Sequence, residues 1–119
     1  MLDKNTVNKV MLMGRIGQEP RWHNMMGQKM LYFTLVTSEK IKKGQEMITH
    51  EETTTINIPE NFVPSDALSP GTTVYVQGRL QTKMSLDENF VRHYRTEVVA
   101  TSVEIISVAF TPVQVHTNQ

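Results

Sequence analysis

The stretch that decides the fold is Asn8-Lys9-Val10-Met11-Leu12-Met13-Gly14-Arg15-Ile16-Gly17-Gln18-Glu19-Pro20. It alternates like a half-buried strand, with Val10, Leu12 and Ile16 sharing one face. A glycine stands inside that strand, and the run stops at Gly-x-x-Pro. Glycine within an alternating strand marks a bulge or sharp bend, as at the corner of a small closed barrel. Residues 71–80 repeat the signal: Val74, Val76 and Leu80 alternate with Tyr75, Gln77 and Arg79, and Gly78 interrupts them.

Working outward, residues 30–38 read as a second strand, with Leu31, Phe33 and Leu35 on one side and Tyr32, Thr34 and Val36 on the other. The intervening residues 17–27 carry Pro20, Asn24 and Gly27, the composition of a loop or hairpin. Residues 39–46 are polar and read as a mobile connection. A β-branched third strand spans 49–58 and ends at Pro59, which cannot donate to a ladder. Residues 61–70 hold Phe62, expected in the core, but Pro64 and Pro70 limit helix there to one or two turns, capped by Ser65 or Asp66. After the fourth strand comes a turn at 85–89, then a fifth strand over 93–108. Five strands, a short helical insert between the third and fourth, and glycines at bends predict an all-β, five-stranded Greek-key barrel. A generic β-sandwich is the alternative.

Composition narrows the function. With 119 residues the chain is one domain, expected over 1–110 with a polar tail at 111–119. Twelve Lys+Arg balance twelve Asp+Glu, so a polyanion would have to be held by a local stripe of cations. Cysteine is absent, which excludes disulfides and thiolate metal sites. The four histidines are scattered without metal-ligand spacing, and no nucleophile elbow or phosphate-cradling loop occurs, so no enzyme, metal or cofactor is expected. No apolar run is long enough to span a membrane. The eight methionines are expected to fill core gaps and barrel ends.

Three blocks in register give the chain a likeness to a known family: 8–20, the run Phe33-Thr-Leu-Val-Thr-Ser-Glu39, and Pro70 to Leu80 followed by Tyr94-Arg-Thr-Glu-Val-Val-Ala100. Together they resemble the bacterial and mitochondrial type of single-stranded DNA-binding protein from about residue 7 to 108. The Gly14–Pro20 wording is closer to mitochondrial members. The resemblance implies an oligonucleotide/oligosaccharide-binding (OB) barrel, a homotetramer, single-stranded DNA as ligand in replication and repair, and the mitochondrial matrix, with the bacterial cytoplasm as alternative. Replication proteins or a paralogous subunit are further expected partners.

The departures from the family are equally informative. Where the family carries stacking rings, this chain has Ile41, Thr53, Pro59 and Ser85; Thr55 and Ser69-Pro70 replace cations. Each base–aromatic stack contributes about 1–3 kcal/mol, so losing three costs about a hundredfold in affinity. The expected compensators are Phe90 and Tyr94 as rings, with Lys9, Arg15, Lys40, Lys42, Lys43, Arg79, Lys83, Arg92 and Arg95 on phosphates. Trp22 is expected to anchor its loop against a barrel edge or a neighbouring subunit. Val10, Leu12, Tyr75 and Gln77 are the expected oligomer contacts. An interaction subunit that has lost its groove, or a single-stranded RNA binder, remains a competing expectation.

Overall fold

A computed structural model describes residues 5–64 and 68–108. Six strands form one sheet: β1 (Val10–Ile16), β2 (Arg21–Met25), β3 (Gln28–Lys43), β4 (Glu46–Pro59), β5 (Thr73–Leu86) and β6 (Arg92–Ser107). Their order is β1-β5-β6-β4-β3-β2, and an added β1–β3 pairing closes five of them into a ring. The expected Greek-key barrel is therefore present, with β2 as a sixth strand hairpinned onto β3.

Closure depends on β1 changing partners. It runs antiparallel to β5 from Val10 to Arg15, then pairs Arg15 with Val36 and Ile16 with Leu35 on β3. Gly14 lies at the crossing, where an added Cβ would overlap the Val36 carbonyl oxygen. Gly78 plays the same part on β5, against the Val99 carbonyl and beside a register shift at Gln77/Gly78. Both glycines are there for close backbone approach.

Alternation fills the barrel. Ile16, Phe33, Leu35, Ile56, Ile58, Val74, Val76, Val98 and Ala100 are buried together, with Val10 and Leu12 packed against them. The outer face of β1 instead shows Met11 and Met13. Methionine is mostly a surface residue in this chain: Met26, Met47 and Met84 are exposed too, and among the described residues only Met30 is fully buried. Phe62, expected in the core, is half-exposed on a single 3-10 turn (Glu60–Phe62), which is all the helix between β4 and β5 among the described residues. Ser65 and Asp66, and the tail at 111–119, lie outside the described residues. Leu80, expected on the inner face, follows the bulge onto the surface, where its backbone N–H and C=O bond the Asn8 side chain at 2.9 and 3.0 Å.

Residues 39–46 are not a mobile connection. β3 and β4 continue past the barrel as a paired arm, with Lys40 opposite Thr49 and Lys43 opposite Glu46, closed by Gly44 at φ 66°. A positive φ at the first turn residue is what a tight two-residue hairpin requires. A second arm, β5–β6, extends to a turn at 87–91. There the Asp87 carboxylate accepts from the N–H groups of Asn89 and Val91 and sits 2.9 Å from His93 Nε2.

Candidate nucleic-acid interface

The two arms frame the site. On β3 and β4 the face away from the core carries Tyr32, Thr34, Lys40 and Lys42, opposite Asn57, Thr55, Thr49 and Met47. On the β5–β6 arm the corresponding face carries Lys83 and Ser85 opposite Arg95 and His93, with Glu97 beside them. These faces meet in a polar pocket of about 350 Å³ lined by His23, Tyr32, Thr55 and Asn57 from one side and Lys83, Arg95 and Glu97 from the other.

Its floor is a chain of hydrogen bonds between buried groups. Glu97 is 5% exposed and Asn57 is 1% exposed. Asn57 Nδ2 donates to Glu97 Oε1 at 2.7 Å; because a carboxylate only accepts, the amide orientation is fixed. The Asn57 carbonyl then accepts from His23 Nε2 at 3.0 Å, and the His23 ring meets Tyr32 edge-to-face at 5.0 Å. Lys83 Nζ lies 3.0 Å from Glu97 Oε1, and Arg95 lies 3.7 Å from Oε2. Burial pushes the Glu97 carboxyl upward, but the Lys83 and Asn57 hydrogen bonds and the Lys83 and Arg95 charges outweigh it, leaving the group below its ordinary value.

The residues expected to bind nucleic acid are only partly brought together. Lys40 and Lys42 lie along the outer face leading to the pocket and make no ion pair among the described residues. Lys83 and Arg95 are in the pocket. Lys83 is already committed to Glu97, with its side chain 27% exposed. Arg15 is paired with Glu51 at 3.0 Å, which holds that carboxyl below its usual range. Lys43 sits across from Glu46 on the opposite face of its arm from Lys40 and Lys42. Lys9 and Arg79 line a separate depression beside β1 and β5.

Tyr94 and Arg92 occupy the far face of the β5–β6 arm, Tyr94 opposite Met84 and Arg92 opposite Leu86, away from the pocket wall. Phe90 projects from the arm's tip, 81% exposed, at φ 62°. A non-glycine residue at positive φ is strained, and strain of this kind gathers at functional sites. Trp22 is half-exposed on β2 with Lys29 Nζ 4.6 Å from its ring centroid, so it anchors to its own hairpin.

Val10 and Leu12 pack against the core, and the outward face of β1 carries Met11 and Met13, opposite Gln77 and Tyr75 on β5. Sequence reasoning also missed His23, Tyr32, Asn57 and Glu97. A signal existed for two of them: Asn57 interrupts Ile56–Ile58 and Glu97 precedes Val98-Val99-Ala100, both polar residues within apolar runs.

A five-strand ring with a polar groove between two projecting hairpins is the architecture of an OB barrel. The chain belongs to the single-strand binding protein family, whose model matches residues 7–106. It is 36% identical over 107 residues to single-stranded DNA-binding protein 1 of Chlorobaculum tepidum, a match that covers 84% of this chain but 65% of that protein. Among solved structures it is similar to the Plasmodium falciparum SSB in complex with ssDNA, with a TM-score of 0.76 at 27% identity, over 89% of this chain and 100% of that one. The small single-stranded DNA-binding protein of Streptomyces coelicolor shares the fold, with a TM-score of 0.64 at 17% identity over 86% of this chain and 95% of that one.

Proposed function

We propose that this protein binds single-stranded DNA with little sequence discrimination, gripping it more through cations than through stacked rings. The observation that carries the reading is the groove between the arms, with Lys40 and Lys42 leading into a pocket that holds Lys83 and Arg95, in a chain of this family. Cations track phosphates and account for most non-specific affinity. Rings are sparse along that track. Thr53 and Ser85 are exposed and ringless, Ile41 is aliphatic and Pro59 is buried. Tyr32 and His23 in the pocket and Phe90 at the arm's tip supply the stacking surface, with Tyr94 on the arm's far face. The affinity expected is therefore lower than that of a relative with a full set of stackers.

The binding unit in this reading is a homotetramer that contacts its copies through Met11, Met13, Tyr75 and Gln77. It works in replication and repair of mitochondrial DNA, a placement supported by the Gly14–Pro20 wording alone. No catalytic step is part of it. Titration of labelled oligo-dT at low and moderate salt tests the reading: saturable binding that weakens with salt is expected, Phe90→Ala should weaken it severalfold, and Tyr94→Ala, on the far face, should weaken it less. No binding at micromolar protein in low salt would instead favour an interaction subunit, for which the ringless positions Ile41, Thr53, Pro59 and Ser85 speak. Light scattering at four times the monomer mass checks the assembly.

A further inference from the structure

Among the described residues, one oxygen of the pocket's buried carboxylate is held by a long ion pair alone. Glu97 Oε1 takes both the Asn57 amide and the Lys83 ammonium, whereas Oε2 accepts no hydrogen bond among the described residues and has only Arg95 at 3.7 Å. Buried acceptors are almost always paired, so an oxygen left open on a carboxylate lining a cavity asks for a donor from outside. The rest of the pocket constrains that donor's carrier. Lys83 and Arg95 retain N–H groups for an acceptor next to it, and His23 and Tyr32 give flat ring surface.

We propose that this pocket is a nucleobase subsite selective for guanine, set within an otherwise sequence-tolerant strand path; the proposal rests on the reading of the protein as a single-strand binder. Guanine alone carries two adjacent N–H donors, N1–H and the 2-amino group, with the O6 and N7 acceptors beyond them. The two donors converge on Glu97 Oε2, and O6 and N7 meet the Lys83 and Arg95 donors, a pairing of cation and guanine that recurs wherever proteins read this base. Thymine offers a single ring N–H. Adenine and cytosine place a ring-nitrogen lone pair where the second donor should be, facing the carboxylate. The Asn57 and His23 hydrogen bonds hold Glu97 in place, so they are positioning residues.

The test is competition binding by the full chain, using a short labelled oligo-dT host with one central position changed to guanine, hypoxanthine, adenine or cytosine. Guanine should bind about fivefold tighter than adenine or cytosine, the low end for a base contact in an open pocket. Hypoxanthine, which lacks only the 2-amino group, should fall between them. Glu97→Gln should flatten the series, read as ratios to the thymine host measured with the same variant, whose own affinity changes as Lys83 and Arg95 are freed. The hypoxanthine comparison needs no protein variant, so it stands even where that substitution unfolds the chain. Equal affinity for all four oligonucleotides, or hypoxanthine equal to guanine, overturns the guanine subsite and leaves single-strand binding untouched. Failure of the unmodified host to bind overturns the functional reading and this proposal with it.

Discussion

Replacing Gly14 by alanine tests whether the barrel closes by backbone contact. The new Cβ would overlap the Val36 carbonyl oxygen and lie 3.0 Å from its carbonyl carbon and 3.1 Å from Thr37 Cγ2. Two of these three atoms are backbone, and Val36 is fixed by its pairing with Arg15, so no rotamer change relieves the clash. Overpacking costs about 1–3 kcal/mol when side chains can yield, and here the upper figure applies. Alanine's smaller unfolded-state entropy returns about 0.4–1 kcal/mol. The net loss is about 2 kcal/mol, which for a domain of this size lowers Tm by about 10 °C. Circular dichroism melts at fixed protein concentration read it, since assembly makes Tm concentration-dependent. Gly44→Asn is the control: its turn is open, nothing lies within 4 Å, and asparagine tolerates positive φ. A Gly14→Ala melt within about 2 °C of the parent would refute the close-approach account, because the net loss of about 2 kcal/mol moves Tm several times further than that.

Four other perturbations follow from the same geometry. Phe90→Asn should weaken oligo-dT binding severalfold while stability holds or rises by about 0.5–1 kcal/mol, because asparagine relieves a ring residue held at φ 62°; titration and melts on one preparation separate the two effects. Met26→Asn should raise Tm by a few degrees: Met26 and Gly27 both have positive φ, the pattern of a type I′ turn that favours Asn-Gly. Lys40→Gln and Lys42→Gln should each reduce the slope of log affinity against log salt by about 0.7; an unchanged slope would remove them from the strand path. The depressed Glu97 carboxyl contributes stability that is present above the ordinary glutamate value of 4.5 and lost as pH falls below it through the depressed value. Acid melts of the parent should therefore steepen in that window, and Glu97→Gln should flatten them.

The barrel was legible because its signals are local. Gly14 and Gly78 announced two bends, and Leu31, Phe33 and Leu35 announced an inner face, since a strand with one buried side must alternate. The β3–β4 arm was not legible for the same reason, whereas the turn at 85–89 had marked the tip of the other. Residues 39–46 leave the core, both faces meet solvent, and no hydrophobic period survives to mark them as strand. The outer face of β1 was ambiguous because apolar residues occupy both parities, Val10 and Leu12 as well as Met11 and Met13; packing around Ile16 shows which set turns inward. The pocket was hidden more deeply. Asn57 and Glu97 sit at outward-facing positions of their strands, and their burial comes from β2 and the β4–β6 seam closing around them, which the patterns of their own strands only hint at. Lys83 looked like a free cation until the residue fourteen positions on, Glu97, was found holding it.

The seam between β4 and β6 has a kinetic consequence. It is the barrel's parallel pairing, with a register of just Ile56 to Val98 and Asn57 to Val99, whereas each arm is an antiparallel hairpin of sequence neighbours. Hairpins close short loops, but the seam joins residues 42 apart and must wait for both. The hypothesis is a folding barrier crossed when two preformed ribbons dock, so that the pocket, built on Asn57 and Glu97 at that seam, comes into being only on docking. Chevron analysis of Asn57→Ala would show it: a folding limb as fast as the parent's, with all the destabilisation in unfolding, is the result that would sink it.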